Sequence, residues 1–498
     1  MSETAATTRQ SRLAWLDALR GFAALCVVFD HGSTLLLLPV RTFLYQWLNL
    51  GQYGVFVFFL VSGYIVPASL ERKGSVKTFW ISRVFRLYPM FLVALILSAI
   101  AYKAGVGSIA NAGHDPAAAV LGWMFMLQNL NAGLNVPVVI WTLSYEMVFY
   151  LLLAALFSWG VHRRSGWYAT AFAVGAVALG GVLPMSGLAH WSNGSAQGGQ
   201  LLLNAVTDAL ILAGLVLAVL SRSWPARAGA SLAALVALVL VTVNQSYPYP
   251  WSGCVILGLM FSGTLIYRAE QYYLGRGEFS APPGYGGALP PHSPPGGGRS
   301  ENRGAPRAAA EVKAWWLRVQ AGHMPLLCAV VVVLVLALTT VAGIWHGARY
   351  GHHWQVQWAT SVLLAGATFG VGLAARNLRV PRWCAWLGMI SYSVYLLHPL
   401  VFNAYRAIPV LHRTHTMPDQ VLFFAAILAV VIALSALTYY CIEKPMQRLG
   451  RRVAAWKGYA TETASADSAS ARDSGGAPAA SRSASSNTAV AGGSGGSP

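Results

Sequence analysis

The stretch Leu16–Gly32, LDALRGFAALCVVFDHG, has the apolar character of a membrane-spanning helix, yet it carries Asp17, Arg20, Asp30 and His31. Ionisable groups inside a bilayer are costly, so they mark either a functional site or a compensating partner. At about 100° per residue, Arg20 and His31 fall within roughly 20° of each other around the helix. Asp17 lies on the same side, and Asp30 points elsewhere. One helix face therefore stacks a carboxylate, a guanidinium and an imidazole, a column that points to chemistry within a membrane.

Composition widens that reading to the whole chain. Its 498 residues are 56% hydrophobic and 10% charged, far from the roughly 25% charged residues of soluble domains. The formal net charge is +18, from 34 Lys and Arg against 16 Asp and Glu. Such basicity suits nucleic-acid binding in a soluble chain. Here the cations sit in short loops between apolar runs, the positive-inside pattern, so no nucleic-acid partner is expected. The polar opening MSETAATTRQSR and the long first apolar run do not form a cleavable signal peptide. Cys26, Cys254, Cys328, Cys384 and Cys441 are scattered singly, with neither metal-ligand nor disulfide spacing, and no metal is expected.

Apolar runs fall near 13–38, 53–70, 88–104, 138–160, 167–185, 200–220, 229–243, 252–267, 324–345, 357–375, 385–404 and 419–442. Arg72, Lys73, Lys77, Arg83 and Arg86 make the 71–88 loop cytoplasmic, and the alternation then places both termini in the cytoplasm. It holds only if 118–130 (AAVLGWMFMLQNL) does not cross but forms a re-entrant or interfacial segment covered by protein. The fold class expected is an all-α integral membrane protein, a polytopic bundle of about 10–12 transmembrane helices. Its parts are a cytoplasmic N-terminus (1–12), a first part of the core (13–267), a disordered Gly/Pro-rich cytoplasmic loop (268–323), a second part (324–446) and a disordered cytoplasmic tail (447–498). No internal repeat of the transporter kind is visible.

His31 is the first candidate for chemistry. An imidazole titrating near neutrality can take a proton from a hydroxyl as that hydroxyl attacks a carbonyl. Glu146, within Trp141–Tyr150 (WTLSYEMVFY), is either a counter-ion for Arg20 or a catalytic carboxylate. At 1.5 Å per residue His31 lies about 22 Å, and Glu146 about 18 Å, above the inner edge of a 30 Å core. The two are therefore expected to share one cavity. Arg83 and Arg86, three apart, share a helix face and could grip phosphate, but spacing alone reads them as cations anchoring a helix end at the membrane surface. Ser62, Tyr64, Ser391, Tyr392 and Ser393 read as helix-packing residues, and His398 as structural, near the outer end of its span.

These elements together resemble the membrane-bound acyltransferase family 3, whose members transfer acyl groups to hydroxyls of polysaccharides and macrolides. The L-D-x-L-R-G element corresponds to Leu16–Gly21, followed by His31. G-V-x-x-F-F-x-x-S-G corresponds to Gly54–Gly63, and R-x-x-R-x-x-P to Arg83, Arg86 and Pro89. W-S/T-L-x-x-E-x-x-F-Y corresponds to Trp141–Tyr150, I-S-Y-S-x-Y-L-x-H-P to Ile390–Pro399, and E-K/R-P to Glu443–Pro445. Many members carry Asp where Phe56 stands, and the 268–323 insertion and the tail depart from the family pattern.

The resemblance implies an inner-membrane O-acyltransferase. Acyl-CoA, acetyl-CoA foremost, would be the donor from the cytoplasm, and a carbohydrate, lipid-linked sugar or glycosylated product the acceptor. It gives Arg83 and Arg86 the coenzyme A phosphates, Arg20 the path of the thioester arm, His31 the activation of the acceptor or a transient relay of the acyl group, and Glu146 the orienting of His31 or the balancing of charge. The rival classes are a proton-coupled secondary transporter, which would need no acyl-CoA, and a membrane sensor or scaffold, which would tolerate His31→Ala.

Overall fold

The computed structural model describes residues 2–106, 116–131, 135–188, 199–221, 223–273, 304–408 and 416–456, of which 2–13, 116 and 304–324 by backbone alone. The described residues are helical, with no strand among them. In chain order the helices are α1 (Ser2–Leu36), α2 (Leu38–Tyr45), α3 (Leu50–Lys73), α4 (Val76–Lys103), α5 (Pro116–Met124), α6 (Trp141–Ser158), α7 (Ser165–Leu179) and α8 (Gly199–Leu220). They continue as α9 (Trp224–Val243), α10 (Ser252–Tyr273), α11 (Gly304–His346), α12 (His352–Ala374), α13 (Arg382–Arg406), α14 (Met417–Thr438) and α15 (Lys444–Ala455). Among the described residues 11 helices are long and apolar enough to cross a membrane, with α7 a shorter apolar helix beside them. The chain is a multi-pass membrane protein.

Local chemistry sets the boundaries. Asn49 caps α3 by accepting the Gln52 amide at 2.9 Å. Gly74 ends α3 in the left-handed region at φ 64°, and Ser75 then accepts the Thr78 amide to begin α4. The chain thus passes from α3 into α4 within two residues. Thr416 and Asp419 close a capping box at the start of α14.

Two glycine contacts draw the central helices together. Gly63 of α3 and Gly263 of α10 cross where a methyl on either would enter a backbone carbonyl, that of Met260 or of Leu60. On the other side of the core, Gly388 of α13 lies against the Asp17 backbone of α1. Close approach of this kind is what small residues allow between membrane helices. One end of α3 and α10 is tied by Arg268, which donates to Glu71 at 2.5 Å and to Ser165 Oγ at 3.1 Å. His162 Nε2 stands 3.4 Å from the same Glu71 carboxylate.

Residues 118–130 do not form a crossing helix. α5 has 9 residues, about 14 Å of rise, too little for a bilayer core. The turns that follow it are buried, and side chains satisfy their backbone. The Asn129 amide donates to Ser144 Oγ at 3.2 Å, Ser246 Oγ donates to the Asn129 carbonyl at 2.8 Å, and Asn244 Nδ2 to the Leu130 carbonyl at 2.7 Å. Irregular backbone at membrane depth is stable when protein covers it in this way.

Several expected boundaries differ. The third span begins at Val76 rather than 88, so Arg83 and Arg86 lie inside α4. The backbone of 304–323, expected to be loop, is the start of α11, and α10 runs on to Tyr273. The remainder of the expected loop, 274–303, lies outside the described residues. Helical backbone also covers 2–12 and 447–455, where a plain terminus and tail were expected. Lys444–Gly450 belongs to the compact unit of residues 1–450, and Arg451 begins the second unit. In 304–323 and 447–455 the helix-forming Ala, Leu and Arg favour helix despite the polarity of the segments.

Candidate active site

Four helices bring polar side chains to one place. Three of them carry charged side chains, Arg20 on α1, Arg83 and Arg86 on α4 and Glu146 on α6, and α3 contributes the Ser62 hydroxyl, all lining one cavity bordered by Tyr392 and Tyr395 of α13. Arg83 is 5% exposed. Its guanidinium carbon lies 5.2 Å from the Phe79 ring centroid and 5.0 Å from that of Tyr150, against one side of this edge-to-face pair, and Nη1 donates to the Tyr150 hydroxyl at 3.4 Å. The Tyr150 hydroxyl in turn donates to Glu146, which also accepts from Ser62 at 3.4 Å. The Arg83 Nε is buried and, among the described residues, has no hydrogen-bond partner. Arg83 is therefore a preset guanidinium inside the protein, and the expectation of a surface anchor fails.

Around this cavity the charges balance without closing on one another. Asp17 lies within electrostatic reach of Arg20 and Arg86. Glu443, in a π-turn after α14 and 3% exposed, accepts from Ser393 at 3.1 Å and Gln447 at 3.0 Å and faces Arg86 and Arg20. Among the described residues, none of Arg20, Arg83 and Arg86 comes within 4.0 Å of a carboxylate. Guanidiniums held near carboxylates but left unpaired are open to an incoming anion with several oxygens.

His31 is not in this cavity. It lines a second one, with Thr34, Ser98, Tyr102, Asn135, Asn403 and Arg406 around it. The expectation that His31 and Glu146 share a cavity is thus corrected. Similar depth does not bring the side chains together, because Tyr150 and Ser62 draw Glu146 towards α3 and α4. A thin wall divides the two spaces. Tyr395 and Thr142 face the first, Val138 and Pro399 the second. The Tyr395 and Thr142 hydroxyls lie 3.0 Å apart, and each reaches the Val139 carbonyl at 3.1 Å.

His31 has a partner the sequence reading gave no functional role. Its Nδ1 is 2.7 Å from Nε2 of His398, and the rings stack at 5.0 Å. Asp30, as expected, points away and accepts the Gly51 amide. Glu443, Tyr150, Tyr395 and Thr142 were also not singled out. All four lie within the motifs Trp141–Tyr150, Ile390–Pro399 and Glu443–Pro445, so position within a motif was the available signal. All five cysteines are free, and among the described residues no group of three or more His, Cys, Asp or Glu could hold a metal ion.

The model of the Acyl_transf_3 acyltransferase domain matches residues 13–281 and 308–440. The chain belongs to this family. Asp17, Arg20, His31, Arg83, Arg86, Glu146 and His398 all fall inside the matched segments of the Acyl_transf_3 domain, and Glu443 lies just beyond. Among curated proteins, the chain is 34% identical over 152 residues to acyltransferase MdmB of Streptomyces mycarofaciens, covering 29% of this chain and 38% of MdmB. It is 28% identical over 164 residues to O-acetyltransferase OatA of Staphylococcus aureus, covering 30% of this chain and 25% of OatA. The aligned part is thus well under half of either relative. No solved structure matches the chain.

Proposed function

We propose that this Acyl_transf_3 protein moves an acetyl or other short acyl group from acyl-CoA to a hydroxyl of a carbohydrate, lipid-linked sugar or glycosylated product, in the cell's inner membrane. The observation that carries this reading is the pair of cavities set back to back at the Tyr395–Thr142 wall, one lined by three guanidiniums and the other by an imidazole. The names of MdmB and OatA support acyl transfer to a hydroxyl.

Arg83 and Arg86 hold the phosphates of the donor, which enters from the side marked by Arg72, Lys73 and Lys77. Arg20 and Asp17 line the way inward, and Glu146 and Glu443 balance the cations. The acceptor occupies the second cavity. As the wall parts for the thioester arm, His31 Nε2 takes the proton of the acceptor hydroxyl while its oxygen forms a bond to the thioester carbonyl carbon. The C–S bond then breaks, and the coenzyme A thiolate recovers the proton from the imidazolium.

The test supplies radiolabelled acetyl-CoA to membranes holding wild type or His31→Ala at matched abundance. Label reaching a glycan or lipid-linked fraction only with wild type is expected. Equal label with both removes His31 from the reaction. Transport of a solute that persists without acyl-CoA would favour the transporter class instead.

A further inference from the structure

Beside the acceptor cavity, His31 and His398 form a hydrogen-bonded pair whose direction the backbone decides. His398 is fully buried, and its Nδ1 lies 3.1 Å from the Val394 carbonyl, with the Tyr395 carbonyl also against the ring. Pro399, next in α13, has no amide hydrogen, so Tyr395 O lacks its usual helical donor. A carbonyl can only accept, so the His398 Nδ1 carries a proton and donates it. A neutral imidazole has a single N–H. Its Nε2 is then bare and must accept, across 2.7 Å, from Nδ1–H of His31. This leaves the His31 lone pair on Nε2, and among the described residues that nitrogen makes no hydrogen bond.

We propose that His398 is a positioning residue that holds His31 in its Nδ1–H tautomer and so keeps Nε2 as the basic nitrogen. The inference rests on the reading of His31 as the base. The chain of donors runs one way: His31 Nδ1–H to His398 Nε2, and His398 Nδ1–H to Val394 O. When His31 Nε2 receives the hydroxyl proton, the charged Nδ1–H donates more strongly to the same acceptor, which stabilises the imidazolium just when it forms. The arrangement does for His31 what a buried carboxylate does in a Ser-His-Asp triad, with an uncharged group. An uncharged partner suits a site that already has Asp30, Arg41 and Arg406 within electrostatic reach.

Two polar substitutions separate positioning from packing. His398→Gln keeps a carbonyl oxygen at a reach comparable to Nε2, whereas the shorter side chain of His398→Asn can serve Val394 but not His31. Initial acyl-transfer rates are measured in membranes against acetyl-CoA concentration, at matched abundance, with His31→Ala alongside. The expected result is that His398→Asn lowers kcat about 10–100-fold with KM for acetyl-CoA within twofold, less than the roughly 100–10,000-fold contributed by a positioned base. His398→Gln should restore kcat to within about fivefold of wild type. Asn and Gln variants that both keep wild-type kcat, with His31→Ala inactive, would overturn the role of His398 and leave the base reading standing. Asn and Gln variants lowered equally, with thermal stability in detergent lowered equally, would make His398 structural. An active His31→Ala would overturn the base reading itself.

Discussion

Replacing Arg83 by Gln gives a sharp test of the inner cavity, because the structure says how the loss should divide. The guanidinium lies against the Phe79 and Tyr150 rings and the residue is 5% exposed, so little ordering remains to be done when an anion arrives. A hydrogen bond to a charged group contributes about 1.5–3 kcal/mol, and each 1.4 kcal/mol is about tenfold in affinity. KM for acyl-CoA should therefore rise about 10–150-fold, with kcat within about threefold, since the His31 cavity lies beyond the wall. The assay measures initial rates at saturating acceptor with two donors, acetyl-CoA and acetyl-pantetheine, which lacks every phosphate. With acetyl-pantetheine the variant and wild type should run alike. A loss of equal size with both donors would refute the reasoning, because Arg83 would then be acting on Glu146 and the packing of α4 rather than on phosphate.

Two further outcomes test the frame around the site. Gly63→Ala should lower the melting temperature in detergent, at a cost of about 1–3 kcal/mol, because its methyl would enter the Met260 carbonyl; Gly175→Ala, with no atom within 4 Å, should leave it unchanged or slightly raised. Burial, chiefly, pulls His162 down to about 4 from 6.5, with Arg268 and Arg163 adding to it against the pull of Glu71. The unfolded chain then binds more protons between those values, so thermal stability should fall as pH drops from about 6.5 towards 4, and His162→Gln should flatten that slope.

The sequence made the bundle legible because bilayer thickness leaves so few solutions: apolar runs of fixed length, separated by charge. It was least reliable where charge lies inside a span. Hydropathy treats Arg83 and Arg86 as loop and begins the third span at 88, whereas α4 begins at Val76 and turns both arginines into a polar cavity supplied by other helices. Glu146 shows the complementary limit. Its depth was readable from rise per residue, but the direction of its side chain depends on Tyr150 and Ser62, and only the first shares its helix. The His31–His398 pair spans 367 positions, which no periodicity connects. Depth could have suggested it: at 1.5 Å per residue His398 lies about 20 Å beyond 385, against about 22 Å from Leu16 to His31.

The charge arrangement explains why so costly a cluster can persist without closing into ion pairs. Three guanidiniums, Arg20, Arg83 and Arg86, face three carboxylates, Asp17, Glu146 and Glu443, so the formal charge of the six is zero. Direct pairing would tie up the guanidiniums, and removing one partner of such a buried pair costs about 3–5 kcal/mol. Here hydroxyls and an amide take up the carboxylates instead: Tyr150 and Ser62 on Glu146, Ser393 and Gln447 on Glu443. Glu146 and Glu443 are thereby satisfied without consuming the guanidinium N–H groups. An entering polyanion can use those donors without first breaking a salt bridge, and the nearby carboxylates moderate its hold so that it can leave. Converting Glu146 into a direct partner of Arg83 would take up the donors that phosphate needs.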